Sequence, residues 1–312
     1  MTRPRIVFMG TPEFAVPSLD VLVRNRYPVV AVVTQPDRPR GRGKQTAPPP
    51  VKAYAEAQGL ALLQPERVRD PAFLETFRDL EPDLVAVAAF GQLLPGGMLD
   101  LPPLGCINVH PSLLPKYRGA APLNWTLIRG ETRTGVTIMR MDEGMDSGDI
   151  LLQEETPVGS GETFGELHDR LARMGADLLL KTVRMIEDGT VRRTPQDHGL
   201  ATFAPRLKKE DGLIDWSRSA EDIVRLVRGL SPSPCAYTLL QGKTLRIFAA
   251  AGREAPVALA PGTTGTATEE GLPVAAGDGI VFLRDVQMEG RKRMPVADFL
   301  RGCRLQPGER LG

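Results

Sequence analysis

Through its first half, the chain alternates short apolar runs with longer segments of helical periodicity, and nothing else in the sequence constrains the fold as strongly. Parallel strands need crossovers, and each crossover helix must cover a sheet face, so the alternation predicts βαβ units and an α/β domain with a mostly parallel sheet. The apolar runs predict strands over 6–9, 29–34, 84–88, 106–109 and 136–141, and the periodic segments predict helices over 13–25, 51–58, 71–80 and 121–129. The longest helix is expected over 164–188: Thr163 and Glu166 form a capping box, Phe164, Leu167, Leu171, Met174 and Leu178 fall on one face, and Gly189 supplies a stop.

Residues 190–205 are polar and turn-rich, with Pro195, Gly199 and Pro205, and read as a linker. The texture then changes to one short amphipathic helix over 223–230 followed by β-like runs over 237–240, 244–249 and 279–283, separated by glycine and proline. Spaced short strands of this kind predict a small barrel or sandwich. A chain of 312 residues exceeds the usual single core, and the expected division is 1–189, a linker over 190–205, and 206–312.

Several function classes fall away. No segment offers the ~20 consecutive apolar residues of a membrane span, and the first apolar run, Ile6 to Met9, is too short for a signal-peptide core, so the cytoplasm is the expected location. Cys106, Cys235 and Cys303 lie far apart with no paired spacing, which argues for buried thiols and against a disulfide framework or a zinc site; no metal is expected. Lys plus Arg at 39 against Asp plus Glu at 38 leaves a net charge of +1, so any nucleic acid must be held by local patches. Strand one ends in Gly10-Thr11-Pro12-Glu13 without the further glycines of a dinucleotide turn, and Lys44 in Gly41-Arg42-Gly43-Lys44-Gln45 is followed by Gln rather than the Ser or Thr of a phosphate loop. There is no His-Glu-x-x-His and no Gly-x-Ser-x-Gly.

What remains is general acid/base and hydrogen-bonding chemistry. In Cys106-Ile107-Asn108-Val109-His110 two polar residues alternate along an apolar strand end, so Asn108 and His110 share a face at the carboxyl edge where open α/β sheets bind ligands. The segment Asp142 to Asp149, with Gly144 and Gly148, can turn a carboxylate back over that edge. Acyl transfer to an amine passes through a tetrahedral oxyanion. A neutral amide such as Asn108 stabilises it, a histidine such as His110 moves the protons, and Asp146 supports the imidazole. Taken singly, a strand-end histidine is more often structural and a Gly-rich acidic stretch more often a plain turn. His168, on the long helix, and His198, in the linker, read as structural or solvated.

Gly10-Thr11-Pro12-Glu13-Phe14, Thr34-Gln35-Pro36-Asp37-Arg38, Asn108 through Pro115, Arg118-Gly119-Ala120-Ala121-Pro122, Met141 to Asp149, Asp211 to Trp216 and Met294 to Gly302 together closely resemble the methionyl-tRNA formyltransferase family of folate-dependent formyltransferases. The resemblance implies a Rossmann-like formyltransferase domain followed by a smaller C-terminal OB-like β-barrel domain, and transfer of a formyl group from 10-formyltetrahydrofolate to methionyl initiator tRNA by a monomer. Asn108, His110 and Asp146 match its catalytic triplet. Ser112, Leu113, Leu114 and Pro115 match its folate-contacting segment, and Phe90, Gly91, Gln92 and Leu93 are expected to line the pterin pocket. Arg38, Arg40, Arg42 and Lys44 put four cations in one glycine-containing loop, which reads equally as a solvated loop or a phosphate-contacting one; the resemblance favours the tRNA acceptor end. Lys208 and Arg246 extend a candidate basic track into the second domain, together with Lys209, Arg291, Lys292 and Arg293. Ser233 and Cys235 depart from the Trp or Pro and the Gly often found in the family. The rivals are a formyltransferase of a small amine, which needs neither barrel nor basic loop, and a non-catalytic RNA-binding protein, which needs no intact triplet.

Overall fold

The run Ile6-Val7-Phe8-Met9 lies in an interior strand of a seven-stranded sheet in the computed structural model of the protein, which describes residues 3–40, 45–256, 258–303 and 305–312. In chain order the elements are β1 (Ile6–Gly10), α1 (Val16–Arg24), β2 (Val29–Val33), β3 (Arg38–Arg40), β4 (Gln45–Ala47), α2 (Pro50–Ala57), β5 (Leu62–Leu63), α3 (Pro71–Asp79), β6 (Leu84–Ala88), α4 (Gly96–Leu99), β7 (Cys106–His110), α5 (Pro122–Ile128), β8 (Arg133–Arg140), β9 (Ile150–Pro157) and α6 (Phe164–Glu187). They continue with α7 (Ala220–Leu230), β10 (Ala236–Leu240), β11 (Lys243–Glu254), β12 (Leu272–Ala275), β13 (Gly279–Met288), β14 (Met294–Pro295) and α8 (Val296–Gly302).

Two units divide these elements. The first takes Met1–Gly119, Arg133–Pro157 and His168–Ala204, and the second takes Ala120–Thr132, Val158–Leu167 and Pro205–Gly312. In the first, the strand order is β5-β2-β1-β6-β7-β8-β9. The pairs from β5 to β7 are parallel, and β8 runs against both of its neighbours. The sheet is thus mostly parallel, as the βαβ pattern requires. All five residues of β1 and of β6 are buried, the signature of strands covered on both faces. On one face Val7, Met9, Ala31, Val33, Val85, Val87 and Cys106 pack with Phe73 and Phe77 of α3 and with Met98 and Leu99 of α4. Truncating a buried ring such as Phe77 in a core of this kind costs about 3–5 kcal/mol. On the other face α6 crosses so closely that a Cβ at Gly175 would stand 2.7 Å from Cγ1 of Val109.

From β1 the chain goes to β2 on one side and then to β6 on the other, so a crevice opens at the carboxyl ends of these strands. Glycine is required at its edge: a Cβ at Gly10 would meet Cβ of Ala15 at 2.7 Å and the carbonyl oxygen of Ala88 at 3.0 Å. The capping box of α6 is present, with Thr163 N–H donating to Glu166 Oε2 at 2.9 Å and Glu166 N–H to Thr163 Oγ1 at 3.4 Å. Sequence periodicity missed β9, because its pattern is largely exposed and polar, as an edge strand's can be. Residues 190–205 are tied down rather than free: Thr194 bridges Ile150 and Phe203 bridges Arg118.

The second unit is a small antiparallel β domain ordered β10-β11-β13-β12, with β14 beside β13. Register shifts at Ala249 let the long β11–β13 pair bend. Ile223, Val227 and Leu230 of α7 join Leu245, Ile247, Val281, Leu283 and Val286 in its core. Helix α5, expected with the first-half helices, belongs to this unit. Asn124 Nδ2 donates to Gly229 O at 2.8 Å, and a Cβ at Gly229 would lie 2.6 Å from Ile128. No helix among the described residues is long and apolar enough to cross a membrane.

Candidate active site

Strand β7 delivers two polar side chains to the carboxyl edge of the sheet. Asn108 pairs in register with Val87 on β6 and Met139 on β8, and His110 lies opposite Thr137. Two residues apart on one strand, Asn108 and His110 share a face. His110 is only 3% exposed. Its Nε2 stands 2.9 Å from the carbonyl oxygen of Tyr117. A carbonyl only accepts, so Nε2 carries a proton, which leaves Nδ1 as the ring nitrogen that can take up or release one.

Nδ1 faces a carboxylate: His110 Nδ1 and Asp146 Oδ2 are 3.7 Å apart. Asp146 reaches this place through a turn after β8 in which it adopts φ +50°, a left-handed conformation that costs a non-glycine residue about 1 kcal/mol or more. Its Oδ2 accepts the Gly119 N–H at 2.8 Å. The turn itself is held from behind: Gln196 Nε2 donates to the Asp146 and Gly148 carbonyls at 2.9 and 2.7 Å. Gln196 Oε1 in turn accepts from Arg118 at Nε (3.2 Å) and Nη2 (2.6 Å), and Arg118 Nη2 also donates to His198 Nδ1 at 3.0 Å. Asn108, His110 and Asp146, predicted from separate stretches, therefore end at one edge.

The remaining predicted residues divide by exposure. Ser112 is buried, donating its hydroxyl to Lys116 O at 2.7 Å and accepting at its carbonyl from Thr137 Oγ1 at 2.6 Å. Leu114 is likewise buried, its N–H on Thr137 Oγ1 at 3.2 Å, whereas Leu113 and Pro115 are partly exposed. Beyond β6, the Phe90 ring is packed into the core at 2% exposure, and the Phe90 carbonyl accepts from Thr11 Oγ1 at 3.1 Å. Gln92 is occupied with Val68 N–H at 3.0 Å and Glu66 O at 3.2 Å. Gly91, with φ +88°, and Leu93, 64% exposed, are the exposed residues of this segment, and Gln92 is partly exposed. Ser112, Leu114 and Phe90 are thus buried, and Gly91, Leu93, Leu113 and Pro115 keep exposed or partly exposed surface.

Among the candidate cations, Arg38, Lys208 and Arg246 are exposed, and Arg42 and Lys44 lie outside the described residues, as does the side chain of Arg40. Asp37, beside Arg38, is paired with other groups: Lys52 Nζ holds its Oδ2 at 2.7 Å and Gln64 its Oδ1 at 2.9 Å, and these bonds keep its carboxyl below the usual range. Buried Cys106 and Cys235 have thiols pushed up by desolvation to about 12 and about 11, which makes them inert packing groups. No group of three His, Cys, Asp or Glu among the described residues could hold a metal ion.

Sequence reasoning missed Gln196, Arg118 and Thr137 as parts of this edge. A polar Thr137 inside an apolar strand, and a Gln in a segment read as linker, were the available signals; neither reveals its partner before folding.

A family described as formyl transferase matches residues 4–183, and the formyl transferase C-terminal domain matches 206–304. A methionyl-tRNA formyltransferase of Syntrophus aciditrophicus is 63% identical over all of both chains, and one of Citrifermentans bemidjiense is 53% identical over all of this chain and 98% of its own. Among solved structures, an N-formyltransferase of Helicobacter canadensis with folinic acid and dTDP-3-aminofucose aligns at TM-score 0.68 and 18% identity, over 90% of this chain and 99% of that one. HypX of Aquifex aeolicus in complex with tetrahydrofolic acid aligns at TM-score 0.65 and 18% identity, over 96% of this chain and 47% of that one. These two structures speak to the fold alone. With both domain families matched in order and relatives this similar from end to end, the chain belongs to the methionyl-tRNA formyltransferase family of formyl transferases.

Proposed function

We propose that the protein transfers the formyl group of 10-formyltetrahydrofolate to the α-amino group of methionyl initiator tRNA. The observation that carries this reading is Nδ1 of His110 held 3.7 Å from Asp146 Oδ2 while Nε2 is bound to Tyr117 O, with Asn108 two residues away on the same strand face. Nδ1 accepts the proton the attacking amine must lose, and the adjacent carboxylate stabilises the imidazolium that results. The Asn108 amide donates to the oxygen of the formyl carbon as it becomes an oxyanion, and the His110 proton then passes to the departing nitrogen. The folate co-substrate supplies the one-carbon unit; the exposure of Gly91 and Leu93 and the partial exposure of Leu113 and Pro115 support these four as its contacts.

Exposed Arg38 and the cations at 40, 42 and 44 suit phosphate contacts at the acceptor end, and Lys208 and Arg246 suit further backbone contacts by residues 206–312, the C-terminal OB-like domain of this reading. All three catalytic groups come from one chain, so a monomer suffices, and an enzyme of translation initiation works in the cytoplasm. The test is formylation with 10-formyltetrahydrofolate, offering methionyl initiator tRNA beside uncharged tRNA and small amines. The product expected is formylmethionyl-tRNA alone; equal or better transfer to a small amine overturns the reading.

A further inference from the structure

We propose that Gln196 is a positioning residue for the reaction: its carboxamide sets the turn that carries Asp146, and Arg118 sets the carboxamide. The inference rests on the function proposed above and adds to it a group outside the triplet. Gln196 is 6% exposed and uses its hydrogen-bonding capacity fully. Two N–H donors reach the carbonyls of Asp146 (2.9 Å) and Gly148 (2.7 Å), and its one oxygen accepts twice from Arg118 (3.2 and 2.6 Å). The amide cannot be reversed. Carbonyls only accept and a guanidinium only donates, so rotation by half a turn would oppose oxygen to oxygen and nitrogen to nitrogen.

The turn has reason to need this clamp. Asp146 at φ +50° persists only where its surroundings over-determine it. Gln196 grips the carbonyls on either side of Ser147, while the Gly119 N–H grips the carboxylate at 2.8 Å. Both grips trace to one strip of backbone. Arg118 N–H donates to Thr202 O at 2.9 Å, Ala204 N–H donates to Arg118 O at 2.8 Å, and the Arg118 side chain, 6% exposed, donates to the Gln196 oxygen and to His198 Nδ1. A cation buried against an amide oxygen polarises that amide and strengthens its N–H donors. Residues 118–119 therefore hold Asp146 twice, once at its carboxylate and once through Gln196 at its backbone.

The discriminating variant is Gln196→Glu. It keeps the shape and gives Arg118 a carboxylate partner, but it turns oxygen toward the two carbonyls of the turn. Turnover and the exchange of the Gly119 amide are measured together in the full chain, with the Ala204 amide as the control. Expected is a fall in kcat of roughly 10- to 100-fold at nearly unchanged KM, as for a reacting group displaced by about 1 Å, with Gly119 exchange at least about tenfold faster by release of its carboxylate acceptor and Ala204 exchange unchanged. Unaltered Gly119 exchange overturns the inference, as does loss of Ala204 protection in parallel, which marks general loosening. If the glutamate variant does not fold, Gln196→Met, similar in volume and without donors, carries the same comparison. A wild-type enzyme that formylates no methionyl-tRNA overturns the proposed function instead, and the two exchange rates still decide whether Gln196 holds the turn.

Discussion

Nδ1 of His110 and Oδ2 of Asp146 stand 3.7 Å apart, too far for a direct hydrogen bond and close enough for a strong interaction once the ring is charged. Because Nε2 is committed to Tyr117 O at 2.9 Å, Nδ1 alone is available to take a proton. Asp146→Asn keeps an oxygen for the Gly119 N–H while removing the charge, and His110→Ala removes the base. Each is expected to lower formyl transfer about 10²- to 10⁴-fold with little change in melting temperature. Single-turnover formylation measures this, and near-normal turnover by both refutes the assignment.

Arg42 belongs to the run of cations Arg38, Arg40, Arg42 and Lys44 proposed above to contact phosphates. Arg42→Ala is expected to weaken tRNA binding similarly for different acceptor-stem sequences and to reduce the slope of log affinity against log salt by about 1. Binding titrations at several salt concentrations measure it; an unchanged slope removes this residue from the interface.

Glu166 is held below the usual carboxylate range by the Thr163 N–H and then by the Thr163 hydroxyl. A depressed folded-state pKa contributes stability that is present above the unfolded value of about 4.3 and lost as pH falls through the folded value. Glu166→Gln, the neutral isostere, is therefore expected to cost about 0.3–1 kcal/mol at pH 7 for this exposed helix start. Denaturation at several pH values should show the gap closing below about pH 4; a gap independent of pH contradicts the charge-assisted cap.

Cys235 occupies φ +79°, a conformation natural to glycine. Its buried Sγ donates to Ile247 O at 3.2 Å. Cys235→Gly exchanges strain of about 1 kcal/mol for that contact and should change stability by no more than about 1 kcal/mol. Cys235→Val places a β-branched side chain in the same region and should cost about 2 kcal/mol or more. Thermal unfolding of the pair reads the difference, and equal melting points would mean the backbone is not held left-handed.

Much of this protein was legible in its residues, because local physics wrote it there. Apolar runs such as Ile6 to Met9 and Leu84 to Ala88 can only be buried strands, Thr163 and Glu166 cap a helix wherever they are placed, and a period of two puts Asn108 and His110 on one face. Tertiary structure alone decided the rest. That β8 runs antiparallel, that α5 groups with the second unit, and that Gln196 closes on the Asp146 turn all depend on partners far away in sequence. The same holds for Phe90 and Leu114, whose burial follows from which element covers them. A residue's own chemistry states which hydrogen bonds and contacts it needs; only the packed chain determines which distant group supplies them.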